Sequence, residues 1–112
     1  MKVSFEGIGE QVVSFATTGT VKGAFVKMSS NNTVAACASA DNFIGFCIND
    51  EGGFAEVQTH GYIKCPYTGT APAVGYSLLA ADTNGRVKGA QTGREYLVLD
   101  VDTTAKTVGF IM

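Results

Sequence analysis

The sequence predicts an all-β chain: a small β-barrel or sandwich built from two similar β units, with an extended N-terminal arm. Three observations predict it. Apolar and polar residues alternate with period two in short runs, turn formers separate those runs, and Gly, Val and Thr are plentiful where Leu, Glu, Lys and Arg are scarce. Hydrophobic residues make up 46% of the 112 and charged residues only 16%. A charged share well under the usual quarter excludes a coiled coil or a disordered chain, and the length allows one domain.

The elements follow in order. Residues 1–20 form the arm and first strands: residues 2–6 place Val3 and Phe5 on one face, and residues 11–16 carry Val12, Val13 and Phe15. The turn Thr17-Thr18-Gly19 leads into a first β unit over residues 21–66. Its first strand, 21–28, puts Val26 and Met28 on one face. The loop Ser29-Ser30-Asn31-Asn32 then precedes a strand over 33–36. Residues 35–40 are the one helical candidate, but their small side chains bury too little to hold a helix, so they read as strand end and loop. Residues 43–48 are apolar on both faces and should be the most buried strand. Asn49 to Gly53 reads as a hairpin loop from which 54–64 runs out as one strand.

The run Y-T-G-T-A-P-A-V-G-Y at 67–76 reads as an ordered crossover, and a second β unit fills 75–112. There the strands are 77–80, 86–89, 96–102 and 107–112. Asn84-Gly85 marks a tight hairpin, because a type I′ turn needs positive φ at both central residues. The units look duplicated. Gly23 to Val26 lies over Gly75 to Leu78, Val34 over Val87, Phe43 to Ile48 over Tyr96 to Val101, and Ala55 to Thr59 over Val108 to Met112.

Charge narrows the partners. Eight basic against ten acidic residues give −2 with no basic block, so no nucleic-acid partner is expected. No apolar run approaches the ~20 residues of a membrane helix, and no membrane partner is expected. Glu6 and Glu10 stand where a signal peptide needs apolar residues. Cys37, Cys47 and Cys65, odd in number and without C-x-x-C spacing, read as reduced thiols of a chain made in cytoplasm.

The parts of an enzyme are missing, so no catalytic residue, metal or cofactor is expected. His60 is the sole histidine and reads as a rim residue. Asp100 and Asp102 share a strand face about 7 Å apart, a spacing that suits acid–base work or a cation. Asp102-Thr103-Thr104 also opens a turn, where an Asp caps backbone, and that use is favoured. Gly7-Ile8-Gly9 precedes no helix and carries no nucleotide signal, and Asn31-Asn32-Thr33 is a glycosylation sequon without an export signal.

Surface remains. Val3, Phe5 and Ile8, hinged by Gly7 and Gly9, form an apolar arm that either closes the barrel or adds a strand to a neighbour. Tyr62, Tyr67 and Tyr76 read as exposed tyrosines suited to stacking on a glycan or host receptor, which gives an alternative reading as a binding module on a virion or cell surface.

The run G-A-F-V-K-M, N-N-T-V-A, F-I-G-F, G-G-F-A-E-V-Q-T-H-G-Y-I over the first unit resembles the small capsid cement, or decoration, proteins of tailed bacteriophages. V-G-Y-S-L-L-A-A-D-T-N-G-R-V-K and Y-L-V-L-D-V-D-T-T are similar to the closing part of that family, and together the motifs cover residues 21–112. The chain departs from the pattern at Ala24 and Tyr76, where relatives tend to be polar or acidic. The resemblance implies a non-enzymatic virion protein on the outside of a phage head, bound to the major capsid protein and stabilising the shell. It further implies a homo-oligomer, with a trimer favoured; the apolar arm outside the resemblance, through Val3, Phe5 and Ile8, is the expected capsid or subunit interface.

Overall fold

The computed structural model describes residues 9–17 and 19–112. The strand expected over 2–6, and with it Val3, Phe5 and Ile8, lies outside the described residues. Within them the chain is all β: β1 (Gln11–Thr17), β2 (Phe25–Ser30), β3 (Thr33–Ala36), β4 (Gly45–Glu51), β5 (Phe54–His60), β6 (Tyr62–Thr68), β7 (Gly75–Asp82), β8 (Arg86–Gly89), β9 (Glu95–Asp102) and β10 (Thr107–Ile111). These strands close into two five-stranded barrels, ordered β1-β3-β2-β4-β5 and β6-β8-β7-β9-β10.

An odd number of strands cannot close with every neighbour antiparallel, because five reversals of direction never return to the start. Each barrel therefore needs a parallel seam, and each has one. β1 runs parallel to β3 through Ala16↔Thr33 and Thr17↔Val34, and β6 parallel to β8 through Tyr67↔Val87 and Thr68↔Lys88. All other neighbours pair antiparallel. A bulge sits at the same place in both barrels: the register skips Ile48 in β4 and Leu99 in β9. Such a bulge raises local twist and bends its strand, which helps so small a ring to close.

The strand connectivity of β1–β5 is that of β6–β10, so the duplicated pattern has a structural counterpart. Val34 and Val87 occupy matching positions, as do Ala55 and Val108. The match of β4 to β9 differs from the sequence reading by two residues. Cys47 corresponds to Val98, because the β9–β10 turn is two residues longer than the Gly52-Gly53 turn of β4–β5.

Three further expectations are corrected. Residues 54–64 are not one strand: Gly61, with φ of 101°, breaks them, and β5 stays in the first barrel while β6 opens the second. A Cβ on Gly61 would sit 2.8 Å from Glu10 Cα, so only glycine fits where the chain crosses. The division between units therefore falls at Gly61 and not at residue 66. Residues 21–24 are a turn, with Ala24 N–H bonded to Val21 O, and not the start of β2. Residues 43–48 are not uniformly buried, since the bulged Ile48 faces solvent.

Burial shows what joins the barrels. The first barrel holds a small core of Val21, Val26, Val34, Cys47, Ala55 and Val57. The second holds Ile63, Cys65, Tyr67, Leu79, Val87, Tyr96, Val98, Val108 and Phe110, together with Phe25, Cys37 and Phe43 from the first. Phe43 stacks on Tyr96 at 4.9 Å between ring centroids and 8° between planes, while Tyr96 meets Phe110 edge-on at 5.4 Å. Tyr96 keeps its hydroxyl satisfied by donating to Phe43 O at 3.3 Å. Two backbone bonds of 2.9 Å, Ala40 N–H to Ala81 O and Ala81 N–H to Asp41 O, reinforce the junction. Lys27 Nζ reaches Asp41 at 2.6 Å and ties the 37–44 loop to β2.

Gly45 faces the Gln58 carbonyl so closely that a Cβ there would collide with backbone, whereas a Cβ on Gly89 would meet nothing within 4 Å. Gly45→Ala is therefore expected to cost about 2–4 kcal/mol in urea denaturation, and Gly89→Ala to stay within about 0.5 kcal/mol of wild type. Phe110→Ala, which empties the centre of the shared core, should cost about 3–5 kcal/mol by the same measurement.

Candidate functional site

Ladder partners in adjacent strands share a face, so pairings read across a sheet trace rows of neighbouring side chains. On the outside of the second barrel, Tyr76 in β7 pairs with Leu97 in β9, Leu97 with Ile111 in β10, and Ile111 with Tyr62 in β6. The row contains no charged residue. Tyr76 is 72% exposed and Ile111 37%, with Leu97 and Tyr62 half-buried between and beside them. Val74, also exposed, extends the patch beyond Tyr76. Next to Tyr76 a shallow cleft of about 400 Å³ is lined by Pro72, Ala73, Leu78, Ala90 and Glu95.

The next positions along the sheet fix one end of the row. Asp100 and Lys64 flank Gly109, and Tyr62 Oη donates to Asp100 Oδ1 at 3.1 Å across it. Any side chain at Gly109 would strike the Tyr62 hydroxyl and the Asp100 carboxylate. Glycine lets the phenol lie flat over β10, which orients the aromatic end of the row.

The residues singled out for chemistry are placed apart. His60 is exposed at the end of β5, with Nδ1 3.0 Å from Thr59 Oγ1. Asp102 accepts from the Thr104 and Ala105 N–H groups at 2.9 and 3.0 Å, the capping use expected for it. The Ala105 and Thr104 bonds hold its carboxyl below the usual range. Asp100 serves Tyr62. Among the described residues no group of three or more His, Cys, Asp or Glu side chains converges on a point that could hold a metal ion.

All three thiols are free and buried. Burial pushes Cys65 up to about 12; burial, with Asp41 nearby, pushes Cys37 up to about 11. A thiol so raised is protonated at neutral pH and is a poor nucleophile. Of the three tyrosines considered for ligand stacking, Tyr76 is exposed and Tyr62 half-buried. Tyr67 is buried in the second barrel, because the β6 register turns it inward with Ile63 and Cys65. That removes it from any surface.

Sequence reasoning missed two residues. Gln58 is buried, and its Nε2 donates to His60 O at 3.2 Å and Tyr62 O at 3.0 Å. It satisfies both carbonyls beside the Gly61 break, so it seals the passage between barrels. The signal was available: a glutamine at a position where the Ala55, Val57, Thr59 alternation faces the other way. The second is Ile111, which alternation with Val108 and Phe110 already puts on the outer face, but whose alignment with Leu97 depends on the Leu99 bulge in β9.

The thiols give a direct test. In the native protein at pH 8 a thiol reagent should label none of the three cysteines, and in urea it should label all of them. Their ionisation also sets a pH dependence. The folded values lie above the ordinary 9.0, so above about pH 9 the unfolded chain loses thiol protons that the folded chain keeps. Stability should therefore fall as pH rises from about 9 towards 12, and Cys65→Ala should flatten part of that slope in pH-dependent denaturation.

No family model matches the sequence, and neither a curated protein nor a solved structure matches it.

Proposed function

We propose that this chain is a non-enzymatic virion structural protein that binds the outer surface of a phage capsid and cements neighbouring capsid subunits. The observation that carries the reading is the uncharged Tyr76–Leu97–Ile111–Tyr62 row, held rigid on four strands of a closed barrel. A patch of that kind on a small domain suits packing against a protein partner. The resemblance of residues 21–112 to capsid decoration proteins supplies the partners, the major capsid protein and sister copies of this chain. The proposed mechanism is multivalent. Each contact is weak, but a homo-oligomer engages several sites on a symmetric shell and gains from effective concentration. Val3, Phe5 and Ile8 extend this interface to the capsid or to a sister subunit by strand addition. The protein would be made in the host cytoplasm and finish on the capsid surface.

A second reading rests on Tyr76 beside its open cleft: a ring with a wet hydroxyl is suited to stacking on a glycan or on a host receptor. A glycan array separates the two, since specific sugar capture that Tyr76→Ala abolishes would favour the module.

Undecorated heads of the phage or prophage that encodes this chain provide the test. The purified protein should co-sediment with them and raise the temperature at which they release DNA. Protein lacking residues 1–9 should keep its circular dichroism and melting temperature yet fail to co-sediment. No binding by the full chain would refute the capsid reading; binding by the folded truncation would refute the role of the arm.

A further inference from the structure

Both barrels carry the same outer row, and in the first barrel three of its four residues are covered. Phe46 pairs with Phe25 and with Gln58, and Gln58 with Val12, so the row Phe25–Phe46–Gln58–Val12 crosses β2, β4, β5 and β1. Its counterparts strand for strand are Tyr76, Leu97, Ile111 and Tyr62. In the first barrel the Phe25–Phe46–Gln58 part of this row is the docking face on the second, and Val12 at its far end is 44% exposed. Phe25 is 1% exposed and packs towards Phe110, with 6.5 Å between ring centroids, and Gln58 binds Tyr62 O. In the second barrel the same row faces outward.

The receiving side repeats as well. On the second barrel, the β7–β8 hairpin accepts the first: Ala81 exchanges backbone bonds with Ala40 and Asp41, and Gly23 O comes within 2.5 Å of where a Gly85 Cβ would stand. Ala81 pairs with Val87, and the counterpart pair in the first barrel is Met28 with Val34. Met28 is 45% exposed. Its hairpin, Ser29 to Asn32, carries no charge that docking would have to desolvate.

The chain thus holds one completed barrel-on-barrel junction and both separated halves of another. We propose that a second copy of this chain completes it head to tail: the Tyr76–Leu97–Ile111 row of one copy seats on the Met28 end of the first barrel of the next. The contact continues the junction already built inside each chain, where such a row already seats on a barrel of the same repeat. Because donor and acceptor differ, the association is heterologous. It forms a ring if the rotation per copy closes, and a filament if it does not.

The inference names the self-association surface within the capsid reading but stands on the repeat alone. Analytical ultracentrifugation of the full chain should show assemblies larger than a monomer. Tyr76→Asp and Met28→Asp should each abolish them, with far-ultraviolet circular dichroism unchanged because both sites are exposed. An equimolar mixture of the two variants keeps one intact row and one intact Met28 end, so at high concentration it should form a one-to-one dimer and nothing larger. A monomeric wild-type chain would overturn the proposal, as would Met28→Asp assembling like wild type or a mixture that stays monomeric. A monomer that still coats heads would sink this inference alone; assemblies that ignore heads would sink only the capsid reading.

Discussion

The molecule depends on an aromatic cluster to which both halves of the chain contribute. Phe25 and Phe43 come from the first barrel, Tyr96 and Phe110 from the second, and their centroids lie 4.5 to 6.5 Å apart. A barrel of about fifty residues has little interior, and chains of that size are marginal on their own. The first barrel fills its interior with valine, alanine and cysteine, which leaves its large rings free to be spent outside. Those rings close the second barrel, whose core is incomplete without them. Each fully buried phenylalanine is worth about 2–3 kcal/mol of transfer free energy, and well-placed aromatic pairs add about 0.5–1.5 kcal/mol each. That is enough to bind two marginal barrels into one cooperative unit.

Closure shapes the rest. The parallel seam that an odd-stranded barrel demands cannot be made by a hairpin, so β1 and β6 must each be followed by a connection that carries the chain across the barrel. Val21 lies on the first of these connections and plugs the interior, held there by Asp50 accepting from the Val21 and Lys22 N–H groups at 2.6 and 3.1 Å. Asp82 plays a related part in the second barrel, accepting from Thr68 Oγ1 at 2.6 Å beside the seam. These carboxylates are structural, and the Thr68 hydroxyl and Thr83 N–H bonds hold the Asp82 carboxyl below its usual range.

Much of this was legible. Period-two alternation located most strands, Asn84-Gly85 marked a hairpin and both residues do have positive φ, and Val34 over Val87 gave the repeat. The failures share a cause: they depend on what the chain meets elsewhere. Gly61 reads as a mild interruption until Glu10 is packed against it. Phe43 reads as strand because an apolar run in sequence cannot say that its first member leaves the ladder to stack on Tyr96. Tyr67 reads as surface because a proline and a crossover follow the usual signs of a loop, yet the parallel seam to β8 turns it inward. The outer row was hidden for a related reason, since the Leu99 bulge shifts alternation by one along β9 and only the register with β10 reveals which residues line up.

The residues on the two equivalent rows differ as their surroundings would dictate. Where the row is covered, the first strand offers phenylalanine, which has no polar atom to satisfy; where it meets water, the same place holds tyrosine, whose hydroxyl is wet. Glutamine stands in the third place of the covered row, because two carbonyls beside Gly61 need donors, and isoleucine replaces it where no such break exists. Solvent alone would favour charge on the outer face of a strand, and the sheet has it one step away at Lys64 and Asp100. Leucine and isoleucine in the middle of that face gain nothing from water, and their presence is best explained by a surface that removes them from it.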